Sequence, residues 1–414
     1  MKIHLPYASI VFATVLCSAS QSQATIVVPT GQPTIQAAIN AAIPGEDILV
    51  LSGTYLEGQI NVTKSVHLSG PNVSVTPPSP RTAEARVVGG FEVMASDVSI
   101  QGFEIVEGVP HPNAATLSRF VWSSQAFNGI DVSFNWIHGP AGQSASAIEL
   151  GDQNSGLRSA LLTVGSNTIN GLVPGSSSGI FLTAVDGATV VGNLVHLATV
   201  PTSSGDYGLP GIVFDGVHDG LIAKNDLDLG QSNANIGSAA YGIGVQAFFD
   251  DILNVSISQN IVRNSVAGVL SSSASFAVRN LAIVKNRVEA TMFGIRLQGF
   301  NIGTNAVSHE SVSVNQNDIV AAGSCADVLG TPGTGRTVSD VIFRKNCFEA
   351  AVGAVGVFGV RVAPTTPIPT HGGLVDARMN YWGSSNGPSS VGTGSGVGVT
   401  NRVDFRKWLE NCPN

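Results

Sequence analysis

The sequence predicts an all-β protein, a single-stranded right-handed parallel β-helix (a solenoid) of about 10–12 coils with a short N-terminal capping helix. Three observations predict it: a recurring asparagine phrase, a glycine phrase between successive asparagines, and a composition suited to many short strands. The 414-residue chain contains 48 glycines and is 43% hydrophobic but only 12% charged. Such a composition favours short strands joined by tight turns over helices.

The asparagine phrase is an apolar strand segment, then asparagine, then a second apolar segment. The recurring residues are Asn135, Asn167, Asn193, Asn225, Asn260, Asn286, Asn317, Asn346 and Asn380. Their separations of 26 to 35 residues stay near the length of one coil. We expect coils stacked about 4.8 Å apart, with each asparagine adopting the left-handed backbone of a sharp turn. We also expect its amide to bond the equivalent amide in the next coil, making a ladder.

The glycine phrase is glycine, apolar, any residue, apolar. It occurs at 179–182, 211–214, 242–245 and 294–297, with looser copies at 147–150 and 268–271. Strand alternation places Ile180 and Leu182 inward and Phe181 outward. The first predicted outward row is Glu149, Phe181, Val213, Gly244, Leu270 and Arg296. The second is Gly151, Thr183, Asp215, Gln246, Ser272 and Gln298.

The two ends of the chain differ from the repeats. Residues 1–24 have the pattern of a signal peptide, with Lys2, an apolar stretch at 8–16 and a small-x-small site at 22–24. This predicts an exported protein, extracellular or periplasmic, and no later run is long enough for a membrane span. Residues 25–414 then form one β-helix domain. Within it, 25–60 form the N-terminal cap and first coil, with a helix over 34–42, and 381–414 form the C-terminal cap.

Charge and cysteines narrow the classes of partner. The formal net charge of −8 and the lack of a basic cluster argue against nucleic-acid binding. Export permits a disulfide, but Cys325, Cys347 and Cys412 cannot all pair within one chain. Cys325 and Cys347 lie less than one repeat apart and could be neighbours. The sequence does not choose the pair, nor does it give the oligomeric state.

Several segments resemble a known superfamily. Residues 34–39 (TIQAAI), 44–50 (PGEDILV) and 53–57 (GTYLE) are similar to the opening of pectin-lyase-like proteins, and the asparagine phrase resembles their parallel β-helix repeat. Residues 380–388 (NYWGSSNGP) and 403–409 (VDFRKWL) resemble the closing segment of secreted bacterial members. The resemblance covers nearly all of 25–412 and implies the fold. It implies no single activity, because the superfamily includes lyases, hydrolases, epimerases, esterases and adhesins.

Catalytic motifs of several superfamily enzymes are missing. The pectinesterase-like motifs are absent, and Asp250-Asp251 occurs without the other three polygalacturonase-like motifs, so we interpret that pair as a polar turn. Four methionines and eight scattered histidines give a copper-handling role little support.

The best local candidate for chemistry is the segment 211–219, which places Asp215 and His218 at one strand end. A carboxylate and an imidazole could act as a general acid and base, or hold Ca²⁺ against a uronate carboxylate. Turn residues of this type are also common without any such role. With Arg296 they form the predicted catalytic set. The predicted substrate-binding residues are Asp206, Tyr207, Gln246 and Gln298.

Two further groups allow both a functional and an ordinary interpretation. Lysine and glutamine alternate immediately before successive ladder asparagines, at Lys224, Gln259, Lys285, Gln316 and Lys345. This column could bind an anionic polymer along its length. The interpretation that we favour is a solvated edge on which the lysines are spaced apart to limit their repulsion. Trp136 and His138 could stack a sugar ring or simply pack around a turn.

The leading hypothesis is a secreted β-helix protein that binds an acidic polysaccharide along its strand face. As a lyase or related carbohydrate-active enzyme it would cleave or epimerise that polymer, with no certain cofactor and Ca²⁺ as the candidate. The alternative is a non-catalytic cell-surface or matrix protein of the adhesin type. The sequence does not decide whether the protein is an enzyme.

Overall fold

A computed structural model describes residues 25–111, 114–139, 144–152, 155–172, 178–197, 210–230, 241–299, 307–330, 337–364, 366–368 and 371–413. Over these residues the chain is a right-handed parallel β-helix, as predicted. The predicted signal peptide and the predicted substrate-binding residues Asp206 and Tyr207 lie outside the described residues.

Helix α1, Ile35–Ala41, packs against the first coil, and the helix predicted over 34–42 is confirmed. The Thr34 hydroxyl caps it by accepting the N–H of Ala37 at 3.0 Å. Ile35 and Ile39, one turn apart, are buried in the core. The apolar face of α1 thereby covers the end of the solenoid, where unpaired strand edges would otherwise be open.

The described strands are short and follow one another around the coils. In chain order they are β1 (Ile26–Val28), β2 (Glu46–Val50), β3 (Gly53–Val62), β4 (Val66–Ser69), β5 (Ala85–Val93), β6 (Val98–Gln101), β7 (Glu104–Glu107), β8 (Val109–His111), β9 (Ala114–Trp122), β10 (Ile130–Ser133), β11 (Trp136–His138), β12 (Ser144–Gly151), β13 (Ser159–Ala160), β14 (Thr163–Gly165), β15 (Thr168–Asn170), β16 (Ile180–Asp186), β17 (Thr189–Val191), β18 (Leu194–His196), β19 (Ile212–His218), β20 (Leu221–Ala223), β21 (Asp226–Asp228), β22 (Tyr241–Ala247), β23 (Ile252–Ser258), β24 (Ile261–Ser273), β25 (Val278–Val284), β26 (Arg287–Gly299), β27 (Val307–Asn315), β28 (Asp318–Ala321), β29 (Ser324–Leu329), β30 (Thr337–Arg344), β31 (Cys347–Ala350), β32 (Phe358–Val362), β33 (Val375–Asp376), β34 (Pro388–Ser390), β35 (Gly396–Val399) and β36 (Val403–Asp404).

The strands stack into three parallel columns. Sheet A contains the glycine phrase and runs through β3, β5, β9, β12, β16, β19, β22, the ends of β24 and β26, β29, β32 and β35. Sheet B precedes the ladder asparagines and runs through β1, β2, β4, β6, β10, β14, β17, β20, β23, β25, β27, β30, β33 and β36. Sheet C follows those asparagines and runs from the starts of β3 and β5 through β7, β11, β15, β18, β21, the starts of β24 and β26, β28 and β31. Within the described chain, β8 against β9 is the antiparallel exception.

The predicted alternation of side chains is confirmed. Ile180 and Leu182 are fully buried in the core that runs along the stack, and Phe181 points away from it and is half-buried. Because every coil contributes inward residues to the same core, each is stabilised by burial against the coils above and below.

The predicted asparagine ladder is also confirmed. All nine asparagines are buried, and each amide from Asn135 to Asn346 donates to the Oδ1 of the next at 2.9–3.2 Å. Each also donates to a main-chain carbonyl of sheet B, as Asn225 does to Val190 at 3.0 Å. The Oδ1 atom additionally accepts a main-chain N–H, so the buried amide is fully hydrogen-bonded.

The left-handed backbone lies one residue earlier than predicted, and the expectation that the asparagine itself adopts it was wrong. Positive φ between 53° and 67° belongs to the preceding column, Phe134, Ser166, Gly192, Lys224, Gln259, Lys285, Gln316, Lys345 and Met379. The left-handed residue turns the chain, and the asparagine that follows can then project inward. The alternating lysines and glutamines stand exposed at this corner, which fits either interpretation of the column.

The disulfide joins Cys347 to Cys412, 65 residues apart, and Cys325 is free and buried. It ties the segment after β36 to sheet C. Cys325 and Cys347, the neighbours that the sequence suggested, are not the pair. Across the described residues, no helix has the length and apolar character needed to cross a bilayer.

Candidate functional site

The outer face of sheet A carries the two predicted rows in the predicted register. Each residue of a row pairs with the next across successive coils, as Thr183 does with Asp215 and Asp215 with Gln246. The first row continues beyond the prediction, down to Trp122 and up to Asp327 and Arg361. We call the surface formed by both rows the sheet A face.

The middle of this face is not an ordinary hydrated sheet surface. Val213, Tyr241, Ala267 and Leu270 are buried in a small apolar cluster, separate from the main core, against which Phe181 and Phe293 pack. Together these six residues come from five coils, so no single segment of the sequence reveals the cluster. Polar groups beside the cluster are consequently removed from bulk water.

Asp215 is one of the polar groups buried on this face, with 2% of its surface exposed. Its Oδ1 accepts the N–H groups of Phe248 and Phe249 at 3.1 and 3.3 Å. Burial raises the pKa of Asp215 to about 7, although the two N–H donors act in the opposite direction. Near neutral pH both the acid and its conjugate base are therefore populated, which suits a group that transfers protons.

Tyr241 and Gln246 lie beside Asp215. The Gln246 amide donates to the Tyr241 hydroxyl, and Gln246 is the partner of Asp215 in the next coil. Burial raises the pKa of Tyr241 well above its usual range; the hydrogen bond from Gln246 lowers it, and the charge of Asp215 adds to the increase. Tyr241 thus remains a protonated donor at neutral pH.

Arg296 forms a second polar centre on the same face. Its guanidinium lies 4.4 Å above the Phe293 ring, and its buried Nε has no hydrogen-bond partner. Burial lowers the pKa of Arg296, with Asp327 raising it and Arg361 lowering it. Asp327 is fully buried and pairs with Arg361 through two contacts of 2.5 and 2.6 Å. Arg296 retains unused donor capacity for an anion.

Arg296 and Asp215 do not share one local site. Register places Gln298 and Asp215 three coils apart, through Gln246 and Ser272, and Arg296 lies on the same strand as Gln298. At about 4.8 Å per coil this is about 14 Å along the stack. The two groups could contact one extended ligand but not one sugar ring.

His218 belongs to a different cluster. It follows Gly216, whose φ of 61° bends the strand away from the sheet A face. Its Nδ1 lies 3.2 Å from the Asp186 carboxylate, and Arg158 bridges Asp186 and Asp250 at 2.8 and 2.6 Å. No hydrogen bond or ion pair among the described residues joins His218 to Asp215. The structure therefore does not assemble the predicted catalytic set, or the predicted Ca²⁺ ligands, at one point.

Buried polar atoms without partners concentrate on the sheet A face. Among the described residues eight side chains contain such an atom; Trp122, Thr183 and Arg296 lie in the rows of this face, and Arg119 lies beside it. Arg119 lies 4.9 Å above the Trp122 ring, and Thr183 is the register neighbour directly below Asp215. Burying such groups without partners costs free energy, and a ligand could supply the missing hydrogen bonds.

The sequence did not single out Arg119, Trp122 or Thr183. Thr183 stood in the predicted outward row, but only the burial around it distinguishes it from its neighbours. Trp122 could have been found by extending the first row down one coil from Glu149. The segment before it lacks the glycine phrase that set the register elsewhere.

The sequence matches no protein-family model and no curated protein. Among solved structures, it is similar to the A-module of the mannuronan C-5 epimerase AlgE4 from Azotobacter vinelandii, with 12% identity, a TM-score of 0.53, and coverage of 91% of this chain and 94% of that one. It is also similar to the catalytic unit of a GH87 alpha-1,3-glucanase from Streptomyces thermodiastaticus, with 14% identity, a TM-score of 0.47, and coverage of 95% and 70%. At these identities the likeness shows the parallel β-helix fold alone.

Proposed function

We propose that the sheet A face binds an acidic polysaccharide laid across successive coils, and that Asp215 and Tyr241 move protons on the bound chain. The observation that carries this proposal is the concentration of unpartnered buried polar atoms on the face that also holds a carboxyl group with a pKa of about 7. Structural residues ordinarily satisfy their buried polar atoms, whereas binding sites leave them for a ligand.

Binding follows from the spacing of the groups. Arg119 and Arg296 lie on opposite sides of Asp215 along the stack, each with an unpartnered guanidinium nitrogen. A guanidinium is suited to a carboxylate through charge-assisted hydrogen bonds. A polymer with a carboxylate on each sugar can reach both anchors at once.

The chemistry follows from the two pKa values. In a uronate polymer, the hydrogen on the carbon next to the carboxylate is the acidic one, and ionised Asp215 can remove it. Return of a proton to the opposite side gives the epimer. Departure of the linked sugar, with a proton supplied by Tyr241 to the leaving oxygen, gives cleavage with an unsaturated product. Both outcomes begin with the same proton abstraction.

The test is turnover and retention of defined polymers. The first polymer is mannuronan, the one given in the name of the AlgE4 mannuronan C-5 epimerase, whose A-module has the same fold. Mixed alginate, pectin and glycosaminoglycans follow. Unsaturated products are measured by ultraviolet absorbance and epimers by nuclear magnetic resonance. Asp215→Asn should lower kcat by about 10²–10⁴-fold while the polymer is still retained. Arg296→Ala should weaken retention by about 10–100-fold, the equivalent of a charged hydrogen bond.

Lys285→Ala, which removes an exposed positive charge at the ladder corner, is the matched control for Arg296→Ala. It should change neither turnover nor retention of the polymer. Absence of both product and retention for every polymer contradicts the proposal. Retention with no product, unchanged in Asp215→Asn, contradicts its catalytic part and leaves the adhesin-type alternative.

A further inference from the structure

We propose that reduction of the Cys347–Cys412 disulfide creates a zinc site on sheet C, with two thiolates and the carboxylates of Asp318 and Glu349 as ligands. The site lies on a different sheet from the sheet A face and does not depend on the proposed glycan activity. It adds a redox-dependent metal-binding function to the scaffold.

The donor atoms already lie close together. Asp318, Cys347 and Cys412 form the one group of histidine, cysteine or acidic side chains among the described residues whose ligand atoms all lie within 4.8 Å of one another. Asp318 and Cys347 are register neighbours in adjacent coils. A fourth oxygen, Oε1 of Glu349, lies 3.6 Å from the Cys347 sulfur but outside this group of three, so the Glu349 side chain must rotate to complete the site. Two sulfurs and two carboxylate oxygens match the number and type of ligands that zinc takes.

The Asp318 carboxylate is free to bind a cation. It makes no hydrogen bond and no ion pair with any described residue, even though Arg287 is its register neighbour in the coil below. The Arg287 guanidinium instead contacts Glu289 at 2.8 Å. The carboxylates lie beside the sulfurs, so a divalent cation bound there after reduction would be held by groups of opposite charge.

Cys412 remains near the site without the disulfide, because other bonds hold its segment. The N–H of Leu409 donates to the Asn380 carbonyl at 2.9 Å, and the N–H of Met379 donates to the Lys407 carbonyl at 2.9 Å. The Trp408 indole donates to the Ser385 carbonyl at 3.3 Å. The cysteine three residues beyond Leu409 therefore stays tethered close to the sheet C edge.

The redox step balances with an ordinary thiol reductant. Two reductant thiols give up two electrons and two protons and become one disulfide, while Cys347 and Cys412 become two thiols. Zinc then displaces the two thiol protons as it binds. Sulfur ligands favour Zn²⁺ over Ca²⁺ and Mg²⁺, which require oxygen ligands.

The experiment uses the full chain, reduced under anaerobic conditions with a water-soluble phosphine. The phosphine takes the oxygen of one water as its oxide and leaves two thiols on the protein. After removal of the reductant, Zn²⁺ binding is measured by calorimetry and by metal analysis. We expect one zinc per reduced chain, none on the oxidised chain, and a higher Tm for the reduced chain when zinc is present.

Asp318→Asn and Glu349→Gln both retain the cysteines, so oxidised protein of each variant can first be checked for an unchanged fold. Each should weaken zinc binding by more than the about 10–100-fold that loss of an outer-shell partner causes. Asp47→Asn, which changes an exposed carboxylate elsewhere, should leave it unchanged. Absence of zinc on the reduced chain, or equal affinity in the Asp318 and Glu349 variants, overturns the proposal.

Discussion

Replacing Asp215 with asparagine should make the protein more stable at neutral and alkaline pH. Burial raises the pKa of Asp215 from its usual value of 3.8 to about 7, so the folded protein holds a proton that the unfolded chain releases. Each factor of ten in the dissociation constant is about 1.4 kcal/mol, and roughly three factors of ten give on the order of 4 kcal/mol. Asparagine retains an oxygen to accept the N–H groups of Phe248 and Phe249 but has no charge to bury.

The sign and the pH window follow from the two pKa values. Below pH 4 the carboxyl is protonated in both states, so wild type and Asp215→Asn should have similar free energies of unfolding. As pH rises from about 4 to about 7, wild type loses the contribution of this proton, and the difference should grow and then level off. Urea unfolding followed by circular dichroism at several pH values from 4 to 9 measures it, with exposed Asp47→Asn as the charge-matched control.

A difference that stays flat across this range would show that Asp215 does not retain its proton on folding. The same would follow if the variant were the less stable protein at pH 8. Either result would also remove the pKa argument for Asp215 as the acid–base group.

Three further predictions concern stability and are all measured by urea unfolding. Asn225→Ala breaks the ladder and leaves buried donors and acceptors in two coils without partners. It should lower the free energy of unfolding by at least about 3 kcal/mol, whereas substitution of an exposed corner residue should cause no comparable loss. Gly268→Ala would place a Cβ 2.0 Å from a Val288 methyl carbon and should lower the free energy of unfolding by about 2–3 kcal/mol. Adding Val288→Ala to the same chain should recover part of that loss. If the effects of the two substitutions simply added, the result would count against this contact. Arg361→Ala leaves the fully buried Asp327 without its main partner and should cost about 3 kcal/mol; a cost near zero would argue against the ion pair.

The fold could be predicted because its strongest signal is local and repeated. Each asparagine lies between two apolar strands at nearly constant spacing, and stacking is the one arrangement that buries all of those strands. The sequence predicted less accurately which residue adopts the left-handed backbone. This corner accepts residues as different as Lys224, Gln259 and the half-buried Phe134, so the residue type that adopts the strained backbone carries little information.

The candidate site could be predicted only in part, because alternation gives the direction of a side chain but not its surroundings. Asp215 was placed correctly in the second outward row, yet its surroundings come from the next coil, which supplies Tyr241 and the N–H groups of Phe248 and Phe249. His218 follows Asp215 closely in sequence, but the bend at Gly216 directs it to Asp186 instead. Contacts between coils decide both outcomes, and no short segment encodes them.

The asparagine ladder also gives the stack of coils a net dipole along its axis. Every amide from Asn135 to Asn346 points its N–H₂ group toward the next coil and its oxygen toward the previous one, so the dipoles add head to tail. Main-chain groups complete the two ends, with the Phe103 N–H bonded to Asn135 and the Asn380 amide bonded to the Phe343 and Ala377 carbonyls. Aligned hydrogen bonds polarise one another. The nine amide side chains therefore form one continuous column of aligned dipoles through an apolar interior, and the positive end of the summed dipole lies toward the coil of Asn380.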